Sequence, residues 1–189
     1  MKIKVKLFDE NCAITVNEQG DWFDLKVRCN VCFTQPQAGT QYTKGIFKYR
    51  DVTFSQGIIP LGVAMKLPEG FEAILVPRSS TFKKYQVIQT NSFGVIDNSY
   101  SGNSDEWGLP ILALGEAEIP QYTRICQFRI QLSQKATIWQ KIKWLFDNKI
   151  EIEYVDNLED EDRGGFGSTG EQSYDSNCNY IGTYYCKCC

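Results

Sequence analysis

From residue 1 to residue 132 the chain runs in short alternating or apolar segments, "KIKVKLF", "FDLKVRCNVCF", "GIIPLGVAMKLP", "FEAILVP", "YQVIQT", "FGVID", "LPILAL" and "RICQFRIQL", separated by turn residues. Segments this short at near-regular spacing predict an all-β sandwich or barrel. Pro60, Pro68, Pro77, Pro110 and Pro120 fall at segment edges, where a missing N–H interrupts no ladder. With 189 residues the chain is long enough for one domain, which at that size buries roughly 70% of its unfolded surface.

One stretch departs from this pattern. In "ATIWQKIKWLFD", residues 136–147, Ile138, Ile142, Leu145 and Phe146 recur near helical spacing, with Lys141 and Lys143 on another face and Ser133 or Thr137 available as N-cap. The spacing predicts one short amphipathic helix packed on the β domain. "KIEIEYV" then returns to period two as a last strand, and "DNLEDED" reads as a solvated linker. The expected organisation is a β domain over 1–158 and a flexible C-terminal arm over 159–189, with a glycine-rich stretch at 163–170 and a cysteine-containing tail.

Composition removes several function classes. A net charge of −3 with scattered Lys and Arg provides no basic face, so no nucleic-acid partner is expected. The sequence contains no histidine, which excludes Ser-His-Asp and Cys-His machinery and any His-based zinc site. No run of about 18 apolar residues is present, so no membrane span is expected. "MKIKVKLFDENCAI" alternates like a strand and lacks the continuous apolar core of a secretory signal, which predicts a cytoplasmic protein with reduced thiols. Neither "CNVC" nor the tail "YYCKCC" supplies four correctly spaced zinc ligands, and the tail reads as an unstructured extension.

Three stretches carry chemistry. "VPRSSTFKK", residues 76–84, sets Arg78, Ser79 and Ser80 directly after an apolar strand, an arrangement suited to one anion. "TNSFGVIDNSYSG", residues 90–102, delivers Asp97 to the mouth of a turn with Tyr100 three residues on; a carboxylate there can activate water beside a ring or sugar, or simply cap the turn. "RGGFGSTG", residues 163–170, combines Arg163, Ser168 and Thr169 as phosphate donors with Phe166 as a flat plate, on a backbone that glycine frees for close approach.

In this order on an all-β chain, these stretches resemble the homotrimeric dUTPase (dUTP diphosphatase) family, a resemblance running from about residue 19 to 170. "IPLGVAMKLPEGFEAILVPRSS" is similar to the approach to the family's second motif, "YTRICQFRI" to its fourth and "DWFDL" to its first. The resemblance implies a jelly-roll-like β-barrel that assembles as a homotrimer with shared active sites, an arm crossing to a neighbour, and hydrolysis of dUTP to dUMP and pyrophosphate by water attack on the α-phosphorus. It implies that Asp97 is the general base, that Tyr100 lies beneath the deoxyribose, and that Asn91, Gly94 and Ile96 belong to the hairpin that reads uracil. Arg78, Ser79, Ser80 and Gln127 match phosphate-binding positions. Phe166 would stack on uracil, while Arg163, Gly167, Ser168 and Thr169 would close on the terminal phosphate. Asp24 matches a carboxylate that acts on Mg²⁺ through water.

The sequence also departs from the family pattern. Two residues fewer than usual separate Arg163 from Phe166, "DWFDL" lacks a glycine, and Phe82 stands in place of an alanine. The alternatives are a dUTPase-fold regulatory binding protein and a dCTP deaminase; the latter's glutamate is absent from "PILAL", where Ala113 stands near that place.

Overall fold

The structure, a computed structural model, describes residues 1–16 and 20–165. The first half of the chain contains β1 (Lys2–Leu7), β2 (Thr15–Val16), β3 (Phe23–Lys26), β4 (Val31–Phe33), β5 (Gln37–Lys44), β6 (Phe47–Thr53), β7 (Gln56–Pro60), β8 (Val63–Lys66) and β9 (Phe71–Pro77). After these come a one-turn helix α1 (Thr81–Tyr85), β10 (Val87–Gln89), β11 (Gly94–Asp97), β12 (Gly108–Ala113), β13 (Ala117–Ile119) and β14 (Arg124–Leu132). The helix α2 (Ile138–Phe146) and β15 (Glu151–Tyr154) follow. The all-β expectation holds, with two short helices beside the strands.

The central sheet has the order β11-β9-β14-β3-β2 and the others are β15-β1-β8, β10-β12-β7, β13-β4 and β5-β6. Period-two alternation places one face of each strand inside: along β9 Phe71, Ala73 and Leu75 are buried and the residues between them are not. Trp107 and Phe128 fill the centre, their rings 5.2 Å apart and edge to face, and Phe23 stacks on Phe128. A fully buried aliphatic or aromatic side chain contributes about 1.5–3 kcal/mol, so this shared core fixes the ends of the strands on which the site is carried.

Three elements differ from the sequence expectations. The β5–β6 hairpin is exposed along its whole length and held by cross-strand pairs such as the stacked Tyr42 and Tyr49; with neither face buried, it leaves no alternation to read. Pro110 sits within β12 rather than at an edge. Its carbonyl accepts from Thr90 on the side where β10 has ended, so the absent N–H faces no ladder partner. In α2, Thr137 is the N-cap and forms a capping box with Gln140, but the stripe Ile138, Leu145 and Phe146 points outward, with Phe146 88% exposed. The helix docks instead through Trp144, edge-on to Phe71, and through Gln140, whose Nε2 donates to the Glu69 carbonyl.

Candidate active site

Asp97 is the last residue of β11, and its carboxylate is held on several sides. Its Oδ1 accepts from the Ser99 amide at 2.9 Å and from the Ser99 hydroxyl. A single nitrogen of the Arg163 guanidinium reaches both carboxylate oxygens, at 2.8 and 2.9 Å, and the Ser99 hydroxyl at 2.7 Å. Partial burial pushes the Asp97 carboxyl upward, but the Ser99 hydroxyl, Arg163 and the Ser99 amide outweigh it and hold the group below its ordinary value. Asp97 is therefore an ionised acceptor at neutral pH, half-exposed at a turn mouth.

Tyr100 follows on the same turn, its amide bonded to the Asp97 carbonyl. The phenol donates to the Glu106 carbonyl at 2.9 Å, and burial, followed by the charges of Asp105, Glu106 and Asp162, pushes its pKa up. Tyr100 is thus a fixed, neutral wall rather than a proton carrier. The other end of β11 is a tight turn in which the Phe93 amide closes on the Asn91 carbonyl and Ser92 has φ +60°. Gln89, which the sequence does not single out, braces it: its Nε2 donates to Asn91 Oδ1 at 2.8 Å and to the Leu75 carbonyl at 3.3 Å. Gly94 is buried against Leu75, and Ile96 packs on the core.

A second cluster is built where β9, β14 and β3 lie side by side. Gln127 pairs with Val76 on one side and Asp24 on the other, and Arg78 follows the end of β9 with its amide on the Ile125 carbonyl. The Thr81 hydroxyl, buried, donates to that same carbonyl at 2.6 Å, pinning the Ser79–Ser80 turn at the start of α1. Asp24 is 3% exposed. One of its oxygens meets Arg78 Nε at 3.0 Å and the other Arg124 Nη1 at 3.2 Å. The resemblance implies a role for this carboxylate on Mg²⁺ through water; in the structure both oxygens are met by guanidinium groups, and one of them holds Arg78. Among the described residues no group of three or more His, Cys, Asp or Glu could hold a metal. The described side chains would therefore hold such an ion only together with substrate phosphate oxygens and water. Arg124 was missed because the stretch "TRICQ" points to Gln127 alone.

The two clusters do not meet within one chain. Asp97 pairs with Glu72 at the start of β9, whereas Arg78 lies just past its end, six residues or about 20 Å further along.

The acidic stretch before the glycines is docked rather than solvated. Leu158 is fully buried, and its amide donates to Asn103. Asp160 bonds Lys66 and Ser101, and Asp162 accepts from the Ser104 amide. Gly102 has to be glycine, because a Cβ there would lie 2.3 Å from the Asp162 Cα. Phe166, Gly167, Ser168 and Thr169 lie outside the described residues, as does the cysteine tail.

Comparison with known proteins gives the family. A family model described as dUTPase matches residues 46–170. The chain is 43% identical over 171 residues to the SPbeta prophage-derived deoxyuridine 5'-triphosphate nucleotidohydrolase of Bacillus subtilis (strain 168), covering 90% of this chain and 99% of that protein. Among solved structures, dUTPase from Streptococcus mutans superposes with a TM-score of 0.54 at 19% identity, over 68% of this chain and 94% of that one. A dUTPase from phage phi11 of S. aureus, described with a structural Mg(II) ion, gives 0.54 at 16% identity, over 72% and 94%.

Proposed function

The chain belongs to the dUTPase family and hydrolyses dUTP to dUMP and pyrophosphate, and from that premise we propose how its own residues divide the work. The carrying observation is the ionised Asp97 carboxylate beside the fixed wall of Tyr100. Uracil is read along the hairpin of Asn91, Gly94 and Ile96, and the deoxyribose rests on Tyr100, where an added 2′-hydroxyl would collide. Asp97 accepts a proton from a water as that water's oxygen attacks the α-phosphorus. The bond from the α-phosphorus to the bridging oxygen breaks in line, and pyrophosphate leaves with the electron pair.

Arg78, Ser79, Ser80 and Gln127 receive the triphosphate, with Arg78 aimed by Asp24 and Arg124. Because Arg78 stands about 20 Å from Asp97 along β9 of the same chain, with Ser79 and Ser80 after it and Gln127 toward the same end, a complete site takes its base from one copy and its phosphate cradle from another. This supports a homotrimer with shared sites. Phe166, Gly167, Ser168 and Thr169, joined directly to Gly165, are the groups proposed to cover uracil and the terminal phosphate. Mg²⁺ is proposed to arrive with the substrate, held by phosphate oxygens and water as the ion prefers, and no step here depends on it. Arg163, expected on the terminal phosphate, is read instead as the partner of Asp97. The working compartment is the cytoplasm, where the nucleotide pool is, and among the described residues no helix is long and apolar enough to cross a membrane.

The family match and the 43% identical relative favour this hydrolase over the deaminase and regulatory-protein readings. The test is pyrophosphate release from dUTP, dCTP, dTTP and UTP measured side by side. Turnover of dUTP alone at an appreciable rate is expected, and comparable kcat/KM for UTP would remove Tyr100 from its role.

A further inference from the structure

Asp105 is a carboxylate with no part in the reaction as described, yet it is 2% exposed and surrounded by backbone amides. Its Oδ2 accepts from Gly102 and from Arg163, each at 2.9 Å, and its Oδ1 accepts from Gly164 at 2.9 Å. No cation is paired with it in these bonds. A buried carboxylate is tolerated only when its lone pairs are met, and three amides converging on one carboxylate are a strong, directional way to meet them. Two of the three donors come from residues 58 and 59 positions further along the chain. The carboxylate therefore joins the turn that carries Asp97 and Tyr100 to the segment that carries Arg163.

We propose that Asp105 is a positioning residue: by fixing the Arg163 and Gly164 amides it sets the Arg163 guanidinium on the Asp97 carboxylate and lays Gly165 against Tyr100. The geometry beyond the latch agrees. A Cβ on Gly165 would stand 3.0 Å from the Tyr100 hydroxyl, so the backbone crosses the phenol at close range. Gly164 has φ +71°, the left-handed conformation that turns the chain back toward the site. Asp160 and Asp162 fasten the preceding residues to the same loop, so the segment up to Gly165 is a strap rather than a tether. Arg163 then acts on the base, tuning its charge, and not on a phosphate.

The inference rests on the reading of Asp97 as the base, but its test separates the two. Hydrogen exchange of the full-length wild-type protein without nucleotide should show the Arg163 and Gly164 amides protected by about tenfold or more over unstructured chain. In Asp105→Asn that protection should fall about tenfold while the β11 amides keep theirs. Unprotected amides in the wild type would overturn the proposal without any variant, even one that failed to fold. In the active enzyme, Asp105→Asn should move the acid limb of the kcat/KM profile to higher pH as far as Arg163→Gln does, and the double variant no further. A fall in kcat with the limb unmoved, or shifts that add, would make Asp105 a structural residue of the loop only. Loss of dUTP turnover in the wild type would refute the base assignment and leave the exchange result to decide the latch.

Discussion

At the scale of single residues, two carboxylates divide the proposed work: Asp97 takes the proton and Asp24 holds an arginine. Asp97→Asn keeps the shape of the group and removes the base, so kcat should fall about 10²- to 10⁴-fold with little change in KM; retention of more than about a tenth of the rate would contradict the assignment. The sign of the pH dependence follows from the Ser99 and Arg163 contacts, which hold Asp97 below its ordinary value of 3.8. Since the base works deprotonated, kcat/KM should stay level as pH falls from 7 and bend only in the acid range below that value, provided the fold survives there; a bend near pH 6 would point to another group. Asp24 behaves differently. Arg124→Gln removes one of the two guanidinium groups that fix the Asp24 carboxylate and so loosens the anchor of Arg78; the expected change is in phosphate binding, with KM for dUTP rising several-fold while the pH profile stays in place. Titration of initial rates against dUTP checks this directly. The placement of Asp97 at a strand end, with Tyr100 three residues on, was legible because it is a local pattern; its reading as the base came from the family resemblance and is what the Asp97→Asn assay tests. Asp105, Gln89 and Arg124 were not legible, because their roles come from contacts with Arg163, Asn91 and Asp24 that are distant in sequence or set by the fold.

At the scale of elements, α2 shows where periodicity stops being informative. The helix and its cap at Thr137 were legible, because hydrophobic spacing and capping are local. Which face docks was not, because that depends on Phe71 lying beneath Trp144. Trp144→Ala should therefore destabilise the protein by about 2–4 kcal/mol, at or below the usual range because Trp144 is only partly buried. Phe146→Ala, at 88% exposure, should change stability by no more than about 0.5 kcal/mol. Urea midpoints for the two variants decide it, and the reverse order would mean that the stripe Ile138, Leu145 and Phe146 is the buried one. The strap at 157–165 makes the same point with charge. An acidic run normally reads as solvated, and nothing local in "DNLEDED" signals that Lys66, Ser101 and the Ser104 amide await it.

At the scale of the whole molecule, the β architecture was legible because period-two burial is written into nearly every strand, whereas the exposed β5–β6 hairpin, with no buried face, was not. The division of the site also belongs to this scale. Strand pairing puts Asp97 opposite Glu72 and Gln127 opposite Val76, so Asp97 and the cluster of Arg78 and Gln127 sit toward opposite ends of β9. If dUTP is cleaved between copies, with Asp97 from one and Arg78 from the next, subunit mixing should restore activity to two inactive variants. Asp97→Asn and Arg78→Gln proteins, each inactive alone, are unfolded together in equal amounts, refolded, and assayed for pyrophosphate release from dUTP. Random assembly into closed rings should restore about a quarter of wild-type activity, because one site in four then draws both intact residues. No recovery from a properly mixed, correctly assembled sample would mean that Asp97 and Arg78 serve the same site from the same chain, and would contradict the account.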